Sequence, residues 1–203
     1  MIIHQIFFKV GDKTFDDYPC YVVGMSKWKQ LCEEQGWEHK LHTKPDTSIM
    51  TEEEINIMEE GDKRYPFFRI DYYRYILLSH YGGMYVDLDV EPTDDFKLIM
   101  NDELIVVSGN RENRGDIGPT QINCVGNDVM KLPHDFELEL KEYTHIQFYE
   151  KCNIEVYKTW RKRFLLRTVG PSMMTKFCKS KKICITDFDK YFKDHATMSW
   201  ENF

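Results

Sequence analysis

The stretch from Arg69 to Pro92, RIDYYRYILLSHYGGMYVDLDVEP, constrains the fold of this chain more than any other. Phe68, Tyr72, Tyr75, Ile76 and Ser79 recur at spacings of three and four, which predicts a helix with an apolar face. Gly82-Gly83 ends it, because glycine takes the left-handed backbone of a helix terminus at little cost. Met84 to Leu88 reads as a short buried strand that closes on Asp87-Leu88-Asp89, with Pro92 just beyond. Acids at the end of such a strand sit where α/β sheets bind their ligands.

In an extended chain, side chains two apart point the same way, so Asp87 and Asp89 aim at one place. Two converging carboxylates repel unless a positive charge lies between them. A hard divalent cation suits that place. Magnesium takes one or two protein carboxylates, waters and the oxygens of a substrate phosphate. These two residues therefore predict a metal–diphosphate site. Asp71 and Arg74, three apart, share a helix face. One accepts hydrogen bonds and the other presents a rigid fork of donors, a pairing that suits a sugar ring. The plainer reading is an ion pair on a wet surface.

The run Asp71, Arg74-Tyr75, Leu78, Gly82-Gly83, Tyr85, Asp87, Asp89 resembles the sugar-binding region of a DXD-motif glycosyltransferase family. That family includes initiating α-1,6-mannosyltransferases, capsular-polysaccharide transferases and virus-encoded transferases. Large clostridial glucosylating toxins share the spacing. Ile70 departs from the pattern, where a small Ser is usual. The resemblance implies an α/β fold of GT-A type: a central, mostly parallel sheet flanked by helices, binding nucleotide. It implies a metal-dependent, retaining hexosyltransferase with Asp71, Arg74, Asp87 and Asp89 as catalytic residues. The donor would be a nucleotide diphosphate sugar, UDP-glucose first and GDP-mannose second. The acceptor would be a glycan or glycoprotein hydroxyl, and the metal Mn2+ or Mg2+.

Further residues follow from the same resemblance. Phe7, at the end of the opening strand, stacks on the nucleotide base or is a core residue. Asn123 reads a sugar hydroxyl, with Asn127 as the alternate, or caps a helix. His195 joins Asp87 and Asp89 in the metal shell, since imidazole suits manganese better than magnesium, or belongs to a frayed terminus. Trp200 donates its indole N–H to the diphosphate, or simply packs.

The chain of 203 residues, 42% hydrophobic, suits one domain. Its nucleotide-binding part would span about 1–92 and its acceptor side about 93–203. The formal charge of −7 argues against nonspecific nucleic-acid binding. A basic run (Lys158, Arg161, Lys162, Arg163, Arg167) is a solvated face or a contact to an anionic acceptor or membrane surface. The six cysteines form no Cys-x-x-Cys pair and suit buried free thiols in a reducing compartment. No apolar run has the length of a membrane span. A cytoplasmic protein, or a domain of a longer one, is expected.

Other expected elements are a strand over Met1 to Phe8, a loop over Asp12 to Pro19, and a helix over Val22 to Gly36. A strand over Trp37 to His42 and a capped acidic helix from Thr51 to Glu60 follow. Later strands are expected at Leu104 to Ser108, Gln121 to Val125 and Ile183 to Thr186, with a helix opening at Pro171. Residues 109–118 form a polar loop, lid or plain surface. Two other functions compete. One is a non-catalytic nucleotide-sugar or glycan-binding module. The other is an Asp-x-Asp phosphohydrolase, which wants Thr or Val where Glu91 stands.

Overall fold

The computed structural model describes residues 1–9, 11–12, 14–108, 125–154 and 161–195. Its strands are β1 (Ile2–Ile6), β2 (Glu38–His42), β3 (Met84–Val86), β4 (Val90–Pro92), β5 (Ile105–Ser108), β6 (Val125–Lys131) and β7 (Phe192–Asp194). Five of them form one sheet in the order β2-β1-β3-β6-β5, and β4 pairs with β7 in a separate ribbon. β1 runs parallel to β2 and β3, while β6 is antiparallel to β3 and β5. Four strands of the sheet thus share a direction and β6 opposes them, so the sheet is mostly parallel, as the sequence implied.

The helices are α1 (Pro19–Gln35), α2 (Glu52–Arg64), α3 (Phe68–Tyr81) and α4 (His134–Cys152), followed by Arg161–Thr168, Pro171–Lys181 and Phe188–Tyr191. α3 carries the expected stripe, but Tyr73 and Leu77 are buried as well. An apolar surface most of the way round marks a helix packed on several sides. Tyr72, Tyr73 and Tyr75 are buried on it because each hydroxyl has a partner. Tyr72 bonds His145 Nε2 at 2.7 Å, Tyr73 accepts from the Asp46 N–H at 2.9 Å, and Tyr75 donates to the Val169 carbonyl at 2.5 Å. The Thr51–Glu54 capping box is present. Glu54 does more than solvate: it is buried and pairs with Lys141 at 2.8 Å, tying α2 to α4.

Alternation along β3 divides the core. Tyr85 joins the cluster built on α2, α3 and α4. Met84 and Val86 join Trp28, Phe96, Phe188 and Phe192 on the opposite face.

Several expectations are corrected. β3 stops at Val86, so Asp87-Leu88-Asp89 is a turn rather than a strand end. Asn127 and Asp128, expected beyond a strand, lie buried within β6, while 121–124 fall outside the described residues. Ile183 to Thr186 makes a single parallel bridge, Val107 to Thr186, and no ladder. α1 begins at Pro19, after a 3-10 turn over Phe15–Asp17, because proline suits a first helical turn. No helix among the described residues is long and apolar enough to cross a membrane.

The step from α3 into β3 needs both glycines. Gly82 and Gly83 have φ of 64° and 92°, and a Cβ on Gly83 would stand 2.4 Å from the Ile2 carbonyl oxygen. His4 steadies this junction from β1. Its Nε2 lies 3.1 Å from the Gly82 carbonyl and its Nδ1 3.1 Å from His42 Nε2 on β2. The next residue, Gln5, points to the other face and donates to the Asp87 carbonyl at 3.4 Å, while its Oε1 meets His39 Nε2 at 2.8 Å. Two chains of hydrogen bonds therefore run from β2 through β1 to the two ends of β3.

Burial, then the neighbouring His42, Lys40 and His39, lowers the His4 pKa to about 4, against the pull of the Gly82 carbonyl. Burial likewise lowers His39 to about 4 and depresses His42. A histidine whose folded pKa is depressed contributes stability that is intact above 6.5 and lost as pH falls toward 4. Between pH 6.5 and 4.5 the wild type should therefore lose unfolding free energy relative to His4→Gln, by up to about 3 kcal/mol in denaturant titrations. The comparison isolates His4 from Asp71 and Glu137, whose raised pKa values act in the opposite direction. Parallel profiles for the two proteins would contradict the assignment.

Candidate active site

Arg74 is the centre of the cluster. α3 aims it across the sheet toward β3 and β6. One terminal nitrogen donates to Asp71 Oδ1. The other donates to the Asn127 carbonyl and lies 3.5 Å from Asp87 Oδ1. The guanidinium carbon stands 4.5 Å from the centre of the Tyr85 ring, a cation–π contact. Tyr85 in turn donates its hydroxyl to Asp87 Oδ1 at 2.5 Å. The Asn127 side chain bonds Asp71 and also donates to the Val169 carbonyl at 3.3 Å. Arg74 is 3% exposed, against 17% for Asp71 and 31% for Asp87. The cation is inside and the acids face outward.

The turn that follows is held through its backbone. The Val90 N–H donates to the Asp87 carbonyl at 3.2 Å, and the Asp87 N–H donates to the Asp128 carbonyl on β6 at 2.7 Å. Trp28 Nε1, from α1, donates to the Val90 carbonyl at 2.9 Å. The His195 N–H donates to the Asp89 carbonyl at 2.9 Å, which continues the β4–β7 pairing past Asp194. His195 thus lies beside Asp89, far apart from it in sequence. Its Nε2 is buried without a hydrogen-bond partner, 3.6 Å from Glu91 Oε2.

Among the described residues, no three His, Cys, Asp or Glu side chains form a ready-made metal cage. The donors at the turn nevertheless fit a divalent ion. Carboxylates and an unpaired imidazole nitrogen are hard-to-intermediate ligands, and magnesium or manganese can take much of its shell from water and phosphate. Asp89 and Asp87, with His195 beside them, are the residues that would hold such an ion.

Phe7 lies half-buried just past β1, edge-on to Phe15 at 5.2 Å and to Tyr21 at 6.2 Å between ring centres. Tyr18 stacks on Tyr21 at 4.7 Å, extending an aromatic group beside the turn. Asn123, Trp200, Lys158 and the loop 109–118 lie outside the described residues. Arg161, Lys162 and Arg167 are exposed on the helix Arg161–Thr168. Sequence reasoning gave Tyr85 no role, although its place two before Asp87 was a usable signal. Asn127, ranked second, is the asparagine seen at the cluster. Cys20, in the first turn of α1, was also missed; burial first and the Asp89 charge second raise its thiol pKa.

Residues 18–106 match a known family described as "Glycosyltransferase sugar-binding region containing DXD motif". That span contains Asp71, Arg74, Asp87 and Asp89. That segment, somewhat under half of the chain, is similar to the sugar-binding region of DXD-type glycosyltransferases. The chain is an enzyme of the transferase class. No curated protein matches the sequence. Among solved structures, "PaToxG Glycosyltransferase" is similar at a TM-score of 0.56 and 12% identity, over 89% of this chain and 69% of that one. Likeness at that identity speaks to fold, and the fold is the GT-A type.

The charges of this cluster are unequal in their settings. Burial opposes the Arg74 cation, but Asp71, Tyr85 and Asp87 more than offset it and hold its pKa above the ordinary guanidinium value. Burial keeps the Tyr85 phenol protonated, so it stays a donor. Burial raises Asp71 to about 6, with Asp87 adding to the rise and Arg74 and Asn127 opposing it. A sugar hydroxyl is best accepted by the ionised acid. Turnover of a nucleotide sugar should thus fall as pH drops through about 6, with one proton taken up. The sign for stability is opposite: a raised carboxyl pKa favours the fold as pH falls from 6 toward 3.8. Donor hydrolysis between pH 5 and 8 tests this, and a rate unchanged down to pH 5 would contradict it.

Proposed function

We propose that this transferase moves a hexose from a nucleotide diphosphate sugar to a glycan or glycoprotein hydroxyl, with a divalent cation at the Asp89 turn and with retention of anomeric configuration. The observation that carries the reading is the cluster itself: Arg74 flanked by Asp71 and Asp87, with Asp87 opening a turn fixed through its backbone. The match of residues 18–106 to the sugar-binding region supports it. The spacing shared with glucosylating toxins favours UDP-glucose as donor over GDP-mannose, and the imidazole of His195 favours manganese over magnesium.

Each residue has a task. Asp71 accepts hydrogen bonds from sugar hydroxyls and so orients the anomeric carbon. Arg74 keeps Asp71 and Asp87 apart at a fixed distance and neutralises their mutual repulsion. Phe7, with Phe15 and Tyr21 edge-on to it, offers a ring face to the nucleotide base; such stacking contributes about 1–3 kcal/mol. Asp89, with Asp87 and His195, holds the ion. The bound cation supplies positive charge to the diphosphate, where negative charge grows as the glycosidic bond breaks. The acceptor oxygen bonds to the anomeric carbon on the face the phosphate leaves, and its proton passes to the departing phosphate oxygen. Trp200 is assigned to that diphosphate and Asn123 to the sugar, on the family pattern.

Asp89→Ala should lower manganese-dependent hydrolysis of UDP-glucose by roughly 10³-fold and leave the circular-dichroism melt unchanged. Full activity in that variant, or wild-type turnover indifferent to chelator, would overturn the metal assignment. Release of phosphate from a simple monoester would instead indicate a phosphohydrolase.

A further inference from the structure

α1 meets the acidic turn at a point where no side chain intervenes. A Cβ on Gly24 would stand 2.3 Å from the Leu88 carbonyl oxygen and 3.2 Å from the Val90 carbonyl oxygen. Both are backbone atoms and cannot swing aside. Glycine is a poor residue for the middle of a helix, so its use here needs a cause, and this close approach supplies one. Four residues on, along the same helix face, Trp28 makes its bond to the Val90 carbonyl. That indole is fully buried and edge-on to Phe96, ring centres 5.2 Å apart, which prevents its retreat. Leu88 and Val90 flank Asp89 on either side. Between them the Asp89 carbonyl takes the His195 N–H. Three successive carbonyls are thus fixed, two of them by α1.

We infer that Gly24 and Trp28 are positioning residues: they set how deeply the Asp87–Asp89 turn sits against α1, and thereby the affinity of that turn for a divalent cation. The inference rests on the metal-site reading given above. Neither side chain touches sugar, phosphate or ion. An alanine at Gly24 must push the turn outward, because α1 is anchored along its length by Trp28, Leu31 and Cys32 in the core. Phenylalanine at Trp28 keeps a ring and removes the one donor.

The test compares Gly24→Ala, Trp28→Phe and a control, Gly36→Ala. Gly36 closes α1 with φ of 66° and has nothing near its Cβ position, so alanine there strains the helix end far from the turn. Manganese affinity in the presence of UDP is read from the electron paramagnetic resonance of the free ion, alongside thermal melting and the kcat and KM of donor hydrolysis. Gly24→Ala should weaken manganese binding at least tenfold and lower kcat by roughly 10²-fold, the scale of a 1 Å misplacement. Trp28→Phe should shift both in the same direction by less. Gly36→Ala should lower the melting temperature and leave manganese affinity unchanged. If Gly24→Ala fails to fold, Trp28→Phe decides. Wild-type manganese affinity in folded Gly24→Ala and Trp28→Phe would overturn the inference while leaving the metal site standing. A wild-type chain that binds no manganese with UDP would overturn the metal-site reading itself, and the inference with it.

Discussion

A guanidinium taken almost wholly out of water is the interaction on which the rest of this structure depends. Burying an ion costs several kcal/mol unless its donors are matched. Arg74 meets that demand at its two terminal nitrogens, with Asp71 on its own helix, Asp87 beyond β3 and a β6 carbonyl at Asn127, and over the face of Tyr85, while its Nε is buried without a hydrogen-bond partner. A planar fork of fixed width leaves little freedom in how the two acids are spaced. The clamp therefore fixes more than two side chains. It joins α3, β3 and β6 at one point, so the helix cannot slide along the sheet without leaving a buried charge unpaired. Lysine, a single point charge, could not span the same partners.

The two acids of the Asp87-Leu88-Asp89 turn are placed by different means. Asp87 is fixed through its side chain, by Arg74 and by Tyr85. Asp89 takes its place through the main chain, from the hydrogen bond of its carbonyl to His195 and from the seating of its neighbours against α1. Under the proposed function this division has a purpose. The acid beside a permanent cation is neutralised before any ligand arrives. The acid placed through its backbone is the one assigned to the exchangeable cation. A turn serves this better than an extended strand end, since it separates the two environments while keeping the residues adjacent.

What the sequence disclosed follows the range of the forces involved. The α3 stripe, the glycine stop and the Thr51 cap are local, set within a few residues, and each was legible. So were β1, α1 and β2 as elements, although α1 begins at Pro19 and not at Val22. The turn was misread as a strand because Val86, Leu88 and Val90 are all apolar and all buried. Composition cannot tell a strand from a turn pressed against a helix. The β4–β7 ribbon was invisible: three residues ending in Pro92 carry no strand signal, and their partner lies about a hundred positions away. Among the site residues, Asp71 and Arg74 were readable as a pair from their spacing. The place of Asn127 depended on β6 pairing with β3, which no local pattern announces.

The two ends of β3 are tied to β2 by hydrogen-bond chains that differ in their response to acid. His42 reaches the Gly82 carbonyl through His4, ahead of the strand, and His39 reaches the Asp87 carbonyl through Gln5, behind it. The first chain needs a neutral His4, whose Nε2 donates to the Gly82 carbonyl while its Nδ1 accepts from His42; the second does not, since His39 donates to the Gln5 amide oxygen in either charge state. Acid would thus loosen the glycine junction and spare the chain to the acidic turn. Asp71 responds oppositely in stability, because its raised pKa makes the fold more tolerant of protons. The two effects offset in a global melt, so overall stability changes less with pH than either group alone would require. They do not offset at the site. Protonating Asp71 removes an acceptor from the cluster, while protonating His4 acts at the Gly82 end of β3. Activity should therefore be more acid-sensitive than folding.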